Sequence, residues 1–263
     1  MRNIRAIFNR ELKSYFSSPV AYIVIGLFLL LAGLFFYLIL TNFVQMCMRA
    51  DMMQQQYGGR MAPPKLNVNV MAIRPVFHNL SLFALFFLPL ITMRLFSDEK
   101  KTGTIELLMT SPVKNSETIL GKFSAAALLY LIMLAGTFIY LLFTIIYGNP
   151  EIGPILVGYL GLFLLGLCYI AFGLFFSTLT DNQIISAMST IVFILVFWAI
   201  GWVSGMMSPQ LGQTLSNFSL IEHFTDFAKG VLDTKHVVFY LSFIFMGLFL
   251  SYVSIESSRW RGR

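Results

Sequence analysis

The sequence predicts an all-α integral membrane protein with six transmembrane helices. Three observations predict it. Of 263 residues, 57% are hydrophobic and only 11% are charged, whereas a soluble domain carries about 25% charged residues. The mean hydropathy is +0.78. The few charges are also segregated, leaving six stretches that can each supply the roughly 20 apolar residues of a spanning helix. So little charge cannot coat a water-soluble globule, and so much Leu, Ile and Phe excludes a disordered chain.

The elements follow in order along one domain, 1–263. Residues 1–18 read as an amphipathic helix. Ile4, Ile7, Phe8, Leu12, Tyr15 and Phe16 recur at three and four, while Arg2, Arg5, Arg10 and Lys13 fill much of the rest. Such a helix lies along the inner membrane surface with its cations near anionic headgroups. Ser17, Ser18 and Pro19 end it. The first span, 20–40, is longer than the apolar run of about 7–15 residues in a secretion signal. It also lacks a small-x-small cleavage site at its end, so an uncleaved anchor is expected. An outer loop, 41–78, is rich in Met and Gln and contains Pro63 and Pro64. The second span, 79–95, contains Pro89, which predicts a kink. Spans three and four are read at 122–147 and 155–179. The fifth, 184–207, stops at Ser208, Pro209 and Gly212. An outer helical element, 208–235, has Leu220, Phe224, Phe227 and Val231 on one face. The sixth span, 236–255, leads to a tail at 256–263.

Lys and Arg set the orientation. With the N-terminus inside, the inner segments hold 12 Lys and Arg in 60 residues, against 6 in 73 for the outer segments. Both termini are therefore expected in the cytoplasm. The net charge of +6 fits this loop asymmetry and does not call for nucleic acid.

The spans carry no Asp, Glu, Lys or Arg in their interiors, which argues against the buried relays of ion-coupled transporters. His78, His223 and His236 fall at or beyond span ends and read as interfacial or loop residues. No catalytic residue, cofactor site or metal site is predicted: neither a zinc-protease helix motif nor a nucleophile elbow is present. Cys47 and Cys168 lie in different kinds of segment and give no disulfide framework. A P-loop for ATP is also missing.

The most distinctive stretch joins spans two and three. Ser97 or Asp98 can cap a helix over 98–110, Asp98 and Glu99 suit its positive end, and Pro112 stops it. Gly103 inside that helix would cost about 1 kcal/mol relative to Ala, which close approach by another chain would explain. A solvated connector is the plainer alternative.

Within this stretch, Met93-Arg94-Leu95-Phe96, Glu99, Gly103-Thr104, Glu106-Leu107-Leu108 and Pro112-Val113, followed by Gly121-Lys122-Phe123, resemble the signature of type-2 ABC transporter permeases with the type V exporter fold. The likeness is closest to the gliding-motility branch. Arg10-Glu11 with Tyr15-Phe16 and Pro19 is similar to that branch, as are Ile221-Glu222-His223-Phe224 and Lys229-Gly230-Val231.

The resemblance implies a non-catalytic permease subunit of the bacterial inner membrane. Its implied partners are a cytoplasmic ABC ATPase that holds the ATP and Mg, and a second permease protomer, identical or similar. Membrane lipid surrounds the pair, and an auxiliary periplasmic or membrane-anchored protein is compatible with it. Residues 1–18 become a connecting helix and 98–110 a coupling helix, with Glu99, Gly103, Thr104, Glu106 and Leu107 as coupling residues. Glu99 and Glu106 would pair with cations on the ATPase. Phe86, Phe87, Phe193, Phe197 and Trp198 become candidates for lining an export path between protomers. Gly201 and Gly205 are candidates for close helix packing, at a dimer seam or within one subunit. Two other readings remain: an ATP-driven machine acting on a periplasmic partner, and a membrane-embedded enzyme.

Overall fold

The computed structural model describes residues 2–56, 66–105 and 113–261. These residues form helices and their connections, with no strand among them. The helices are α1 (Arg2–Ser17), α2 (Pro19–Gln56), α3 (Arg74–Thr92), α4 (Arg94–Lys101), α5 (Asn115–Gly148), α6 (Ile152–Leu179), α7 (Gln183–Ser204), α8 (Pro209–Ser216), α9 (Leu220–Ala228) and α10 (Thr234–Arg261). A π-helical turn, Asn69–Ile73, leads into α3. Among the described residues, six helical stretches are long and apolar enough to cross a membrane: Pro19–Gln56, Asn69–Lys101, Asn115–Gly148, Ile152–Leu179, Gln183–Ser204 and Thr234–Ser257.

The six stretches alternate in direction. One end of the bundle, the near end, gathers α1, α4, the start of α5, the α6–α7 turn and the close of α10. The far end carries the close of α2, the π-helical turn, α8 and α9. Serine and proline punctuate the near end as expected. Helix α1 closes at Ser17, and Pro19 opens α2, where its missing N–H costs nothing.

Three boundaries differ from the sequence reading. Helix α2 has 38 residues, about 57 Å at about 1.5 Å per residue, so residues 41–56 are helical rather than loop. Met, Gln, Ala and Arg favour helix, and neither Gly nor Pro interrupts them before Gly58. Membrane thickness limits how much of a helix is buried, not where it stops. The second apolar stretch runs from Asn69 to Lys101, beyond both ends of the expected 79–95, with Pro89 inside it and a single turn residue at Met93, whose N–H bonds to the Pro89 carbonyl at 2.9 Å. Finally, Ser97 and Asp98 lie inside α4 instead of capping a new helix.

Helix α6 is the centre of the fold. It packs against α3, α5, α7, α9 and α10, and 67% of its apolar window is buried, against 22% for α2. Its glycines are notches for neighbours. A Cβ added at Gly158 would stand 2.2 Å from the Phe77 ring, and one at Gly161 would stand 2.4 Å from Phe227. At Gly166 and Gly173 the distances are 2.0 Å to Tyr130 and 2.1 Å to Thr92. Tyrosine completes one notch: its ring covers Gly166 while Tyr130 Oη donates to the Leu162 carbonyl at 2.9 Å, one turn earlier. The same device joins α5 to α2. There Tyr140 covers Gly33 and donates to the Leu29 carbonyl at 2.9 Å. Each buried hydroxyl thus finds an acceptor in an otherwise apolar interface.

Gly166→Leu should destabilise the protein by about 1–3 kcal/mol through overpacking against Tyr130. Gly26→Ala, where nothing lies within 4 Å of the added carbon, should be neutral or slightly stabilising. Thermal unfolding of the two purified variants in the same lipid nanodisc checks the contrast.

Candidate functional site

The near end brings together residues far apart in sequence. Asn3 at the start of α1 donates to Glu117 Oε2 of α5 at 3.0 Å. One turn on, α1 sits directly on Gly121, where a Cβ would stand 2.8 Å from Ile7 Cγ2 and 3.2 Å from the Ile4 carbonyl oxygen. That close seat lets the next residue, Lys122, reach across to Glu11 and Glu99.

Lys122 is 1% exposed yet keeps all three ammonium protons bonded. Its Nζ lies 3.0 Å from Glu11 Oε1, 3.0 Å from Glu99 Oε1 and 2.6 Å from the Leu95 carbonyl oxygen. The Phe96 ring lies beneath it, 4.9 Å from Nζ to the ring centre. Arg10 Nη2 bridges the same two carboxylates at 2.7 Å each. Two cations and two anions therefore alternate around a neutral square, so the buried lysine is compensated. Burial alone would raise the Glu11 carboxyl, but Lys122 and Arg10 outweigh it and hold it below the ordinary carboxylate range. A carboxyl depressed in this way contributes stability above its unfolded pKa, and that contribution is lost as pH falls through the folded value. A cavity of about 220 Å³ adjoins the square, lined by Arg94 and Asp98 as well as by its four members.

Helix α4 also grips the turn between α6 and α7. Ser97 Oγ donates to the Ser177 carbonyl at 3.2 Å, and Lys100 Nζ donates to that of Thr178. These carbonyls end α6 and would otherwise lack helical partners, and a cation suits that negative terminus. Gln183 Nε2 donates to Asp98 Oδ1 at 2.9 Å.

The predicted coupling residues take definite places. Glu99 turns inward to Arg10 and Lys122, not outward to a partner's cations as expected, because the buried Lys122 needs its charge. Its Oε2 is buried without a hydrogen-bond partner among the described residues. Gly103 is not in a helix interior. It has φ +72° with nothing within 4 Å of an added Cβ, and it follows α4 in the left-handed position where glycine terminates helices. That positive φ is by itself a sufficient reason for glycine. Thr104 supports that stop, with Oγ1 3.4 Å from the Glu99 carbonyl and 3.0 Å from Thr102 Oγ1. Glu106 and Leu107 lie outside the described residues.

The other candidates are dispersed. Within the chain, Phe193 stacks on Phe172 at 4.5 Å and Phe197 meets Phe243 edge-on at 5.2 Å. Phe87 meets Phe28 at 5.7 Å, whereas Phe86 is 43% exposed. Trp198 lies against Trp202 with its indole N–H unbonded among the described residues. Gly201 receives Ser219 and Ile221 of the α9 region, at 2.8 and 3.0 Å from an added Cβ, so its packing partner is in the same chain. The nearest atom to a Cβ at Gly205 is the Trp202 carbonyl oxygen of its own helix.

Sequence reasoning missed the square, although all four members stood in motifs it had singled out. The available signal was that Lys122 and Glu11 were isolated charges on otherwise apolar helix faces, each needing an opposite charge. Nor does the sequence announce that His223 and His236, which stand before and at the start of the sixth span as expected, meet each other. His223 and His236 are buried against each other at the far end, 4% and 8% exposed.

Lys122→Ala should cost about 3–5 kcal/mol, since it leaves two carboxylates buried with only Arg10 between them. Lys122→Met combined with Glu11→Gln and Glu99→Gln should recover most of that loss. Thermal unfolding in lipid, read for both variants against the unaltered chain, checks the sign of the recovery.

Among curated proteins, none matches the sequence. The family model for "ABC-2 family transporter protein", by contrast, matches residues 5–257, a span that takes in most of α1, the charge square, all six apolar helical stretches and α9. The chain belongs to the ABC-2 family of transporter proteins, the membrane-spanning subunits of ABC transporters.

Proposed function

We propose that this chain is the permease of an ATP-driven exporter in the bacterial inner membrane, with its near end in the cytoplasm. A separate ATPase subunit binds there, holds the ATP and Mg, and hydrolyses the nucleotide. Two permease protomers and two ATPases make the working unit. The segment running from Glu99 to Leu107 receives the ATPase's motion.

One observation carries this reading: α4 is fastened on both sides. The charge square ties it to α1 and α5, and Ser97, Lys100 and Asp98 tie it to the α6–α7 turn. A displacement applied just beyond Gly103 therefore reaches three helices of the bundle together, including the central α6. The coupling needs only two states of the dimer that nucleotide biases differently. Glu99 acts as a positioning residue in this scheme, and Glu106 as a contact with the ATPase. Of the proposed path-lining residues, Phe86 is the most open to a partner protomer.

A second reading has its own support. About sixteen residues of α2 continue as helix past the expected span, which suits a complex that works on a partner beyond the membrane. In that reading the dimer closes as a tight seam and the extended α2 bears the load.

Co-expression with ATPases encoded near this gene, followed by purification and ATP turnover in lipid, tests the assignment. Glu106→Arg should reduce both co-purification and turnover about tenfold or more, as expected when a buried interfacial charge is reversed. Arg49→Ala on the extended α2 should leave both unchanged. Stable, correctly folded chain that recruits no ATPase would overturn the reading.

A further inference from the structure

The far end holds a cluster that coupling to an ATPase does not use. His223 of α9 and His236 of α10 face each other with their Nδ1 atoms 2.5 Å apart. His223 Nε2 lies 3.0 Å from the Asn217 carbonyl oxygen, and His236 Nε2 lies 3.1 Å from Asp226 Oδ2. Lys229 Nζ holds the other Asp226 oxygen at 2.9 Å. The His223 ring stacks on Phe239, with centres 3.9 Å apart.

The partners assign the protons. A carbonyl oxygen can only accept, so His223 Nε2 carries a proton and donates it. The Asp226 carboxylate also accepts, so His236 Nε2 donates as well. The two Nδ1 atoms then share one proton between them. Three protons thus occupy four ring nitrogens, and the single positive charge faces Asp226. A fourth proton has no place, because two Nδ1–H groups cannot point at each other across 2.5 Å. It would also create a second buried cation with no carboxylate of its own.

We propose that His223, His236 and Asp226 form a proton-dependent latch that fastens α9 to the first turn of α10 and releases it when the compartment at the far end acidifies. Release matters because α9 is wedged into the bundle. Phe227 fills the notch at Gly161 of α6, and Ser219 fills that at Gly201 of α7. Freeing α9 therefore loosens the far ends of two spanning helices, so outer pH becomes an input to the conformational equilibrium.

The surrounding charges act in both directions, with the lowering influences of His236 and Lys235 each larger than the raising one of Asp226. From α10, Lys235 adds positive potential at His223, and Asp226 opposes it. The Tyr240 hydroxyl is occupied by the Leu220 carbonyl at 2.8 Å. From α3, His78 meets Phe224 edge-on, and Arg74 is the one charged residue of that helix. Helices α6, α7 and α8 contribute no Asp, Glu, Lys or Arg. Burial is the largest influence on His223 and holds its pKa below the ordinary 6.5; the Asn217 carbonyl works against it, and the neighbouring His236 adds to it. Stability from a neutral His223 is thus complete above about 6.5 and lost as pH falls through the lowered folded value.

The chain has three histidines, so a sample labelled with nitrogen-15 at histidine alone gives a spectrum simple enough to assign. The full-length protein in lipid nanodiscs is compared at about pH 7.5 and about pH 5. At the higher pH, one doubly protonated ring and one ring protonated only at Nε2 should show coupling between their Nδ1 atoms, and that coupling should vanish in acid. Hydrogen exchange of residues 217–230, corrected for intrinsic pH dependence, should rise about tenfold or more in acid, while that of residues 168–179, the near half of α6, stays unchanged. His236→Asn should make the exchange of 217–230 independent of pH, whatever its level. Unchanged protection in the native chain at acid pH would overturn the proposal. So would an acid transition that persists in both His236→Asn and His223→Asn.

Discussion

Inside a bilayer the surrounding lipid is as apolar as leucine, so burying leucine does little to hold two helices together. What remains is close fit and the satisfaction of each polar group that happens to be buried. Helix α6 meets both demands. Its glycines admit Phe77, Phe227, Tyr130 and Thr92 to distances that any side chain would forbid. The tyrosines bring their own hydrogen bonds to the contact. Around this helix α3, α5, α7, α9 and α10 take their places, and α2, which meets α5 through notches at Gly33 and Gly136, stays mostly uncovered.

The near end relies on a different force. Here charge, not shape, joins the elements, and the geometry makes the charges depend on one another. Lys122 would be intolerable at 1% exposure without Glu11 and Glu99, and neither carboxylate would sit there without Arg10 and Lys122. Such a square adds little net stability compared with an apolar replacement. Its value lies in specifying one arrangement of α1, α4 and α5. A helix held in a single arrangement transmits displacement, which is what the proposed coupling requires. The far end uses protons in the same way, with one shared proton fixing α9 against α10.

Six spans, their order and the N-terminal helix were legible because hydropathy and charge segregation are properties of single segments. The stop after α4 was half legible. Gly103 and Thr104 stood out, but a glycine in a polar stretch can mean close approach or positive φ, and only the backbone decides between them. The continuation of α2 over 41–56 was missed because the span was ended at the thickness of the membrane, although its residues favour helix throughout.

The sequence by itself determined that this is a multi-pass membrane protein of the ABC-2 family, since apolar run length and short motifs are written locally along the chain. Tertiary structure alone decided that Arg10, Glu11, Glu99 and Lys122 share one site and that His223 meets His236. Those meetings depend on which faces of α1, α4, α5, α9 and α10 are turned toward one another. That rotation is set by notches such as Gly121 and Gly161, whose partners lie far away in sequence and are named by no local pattern.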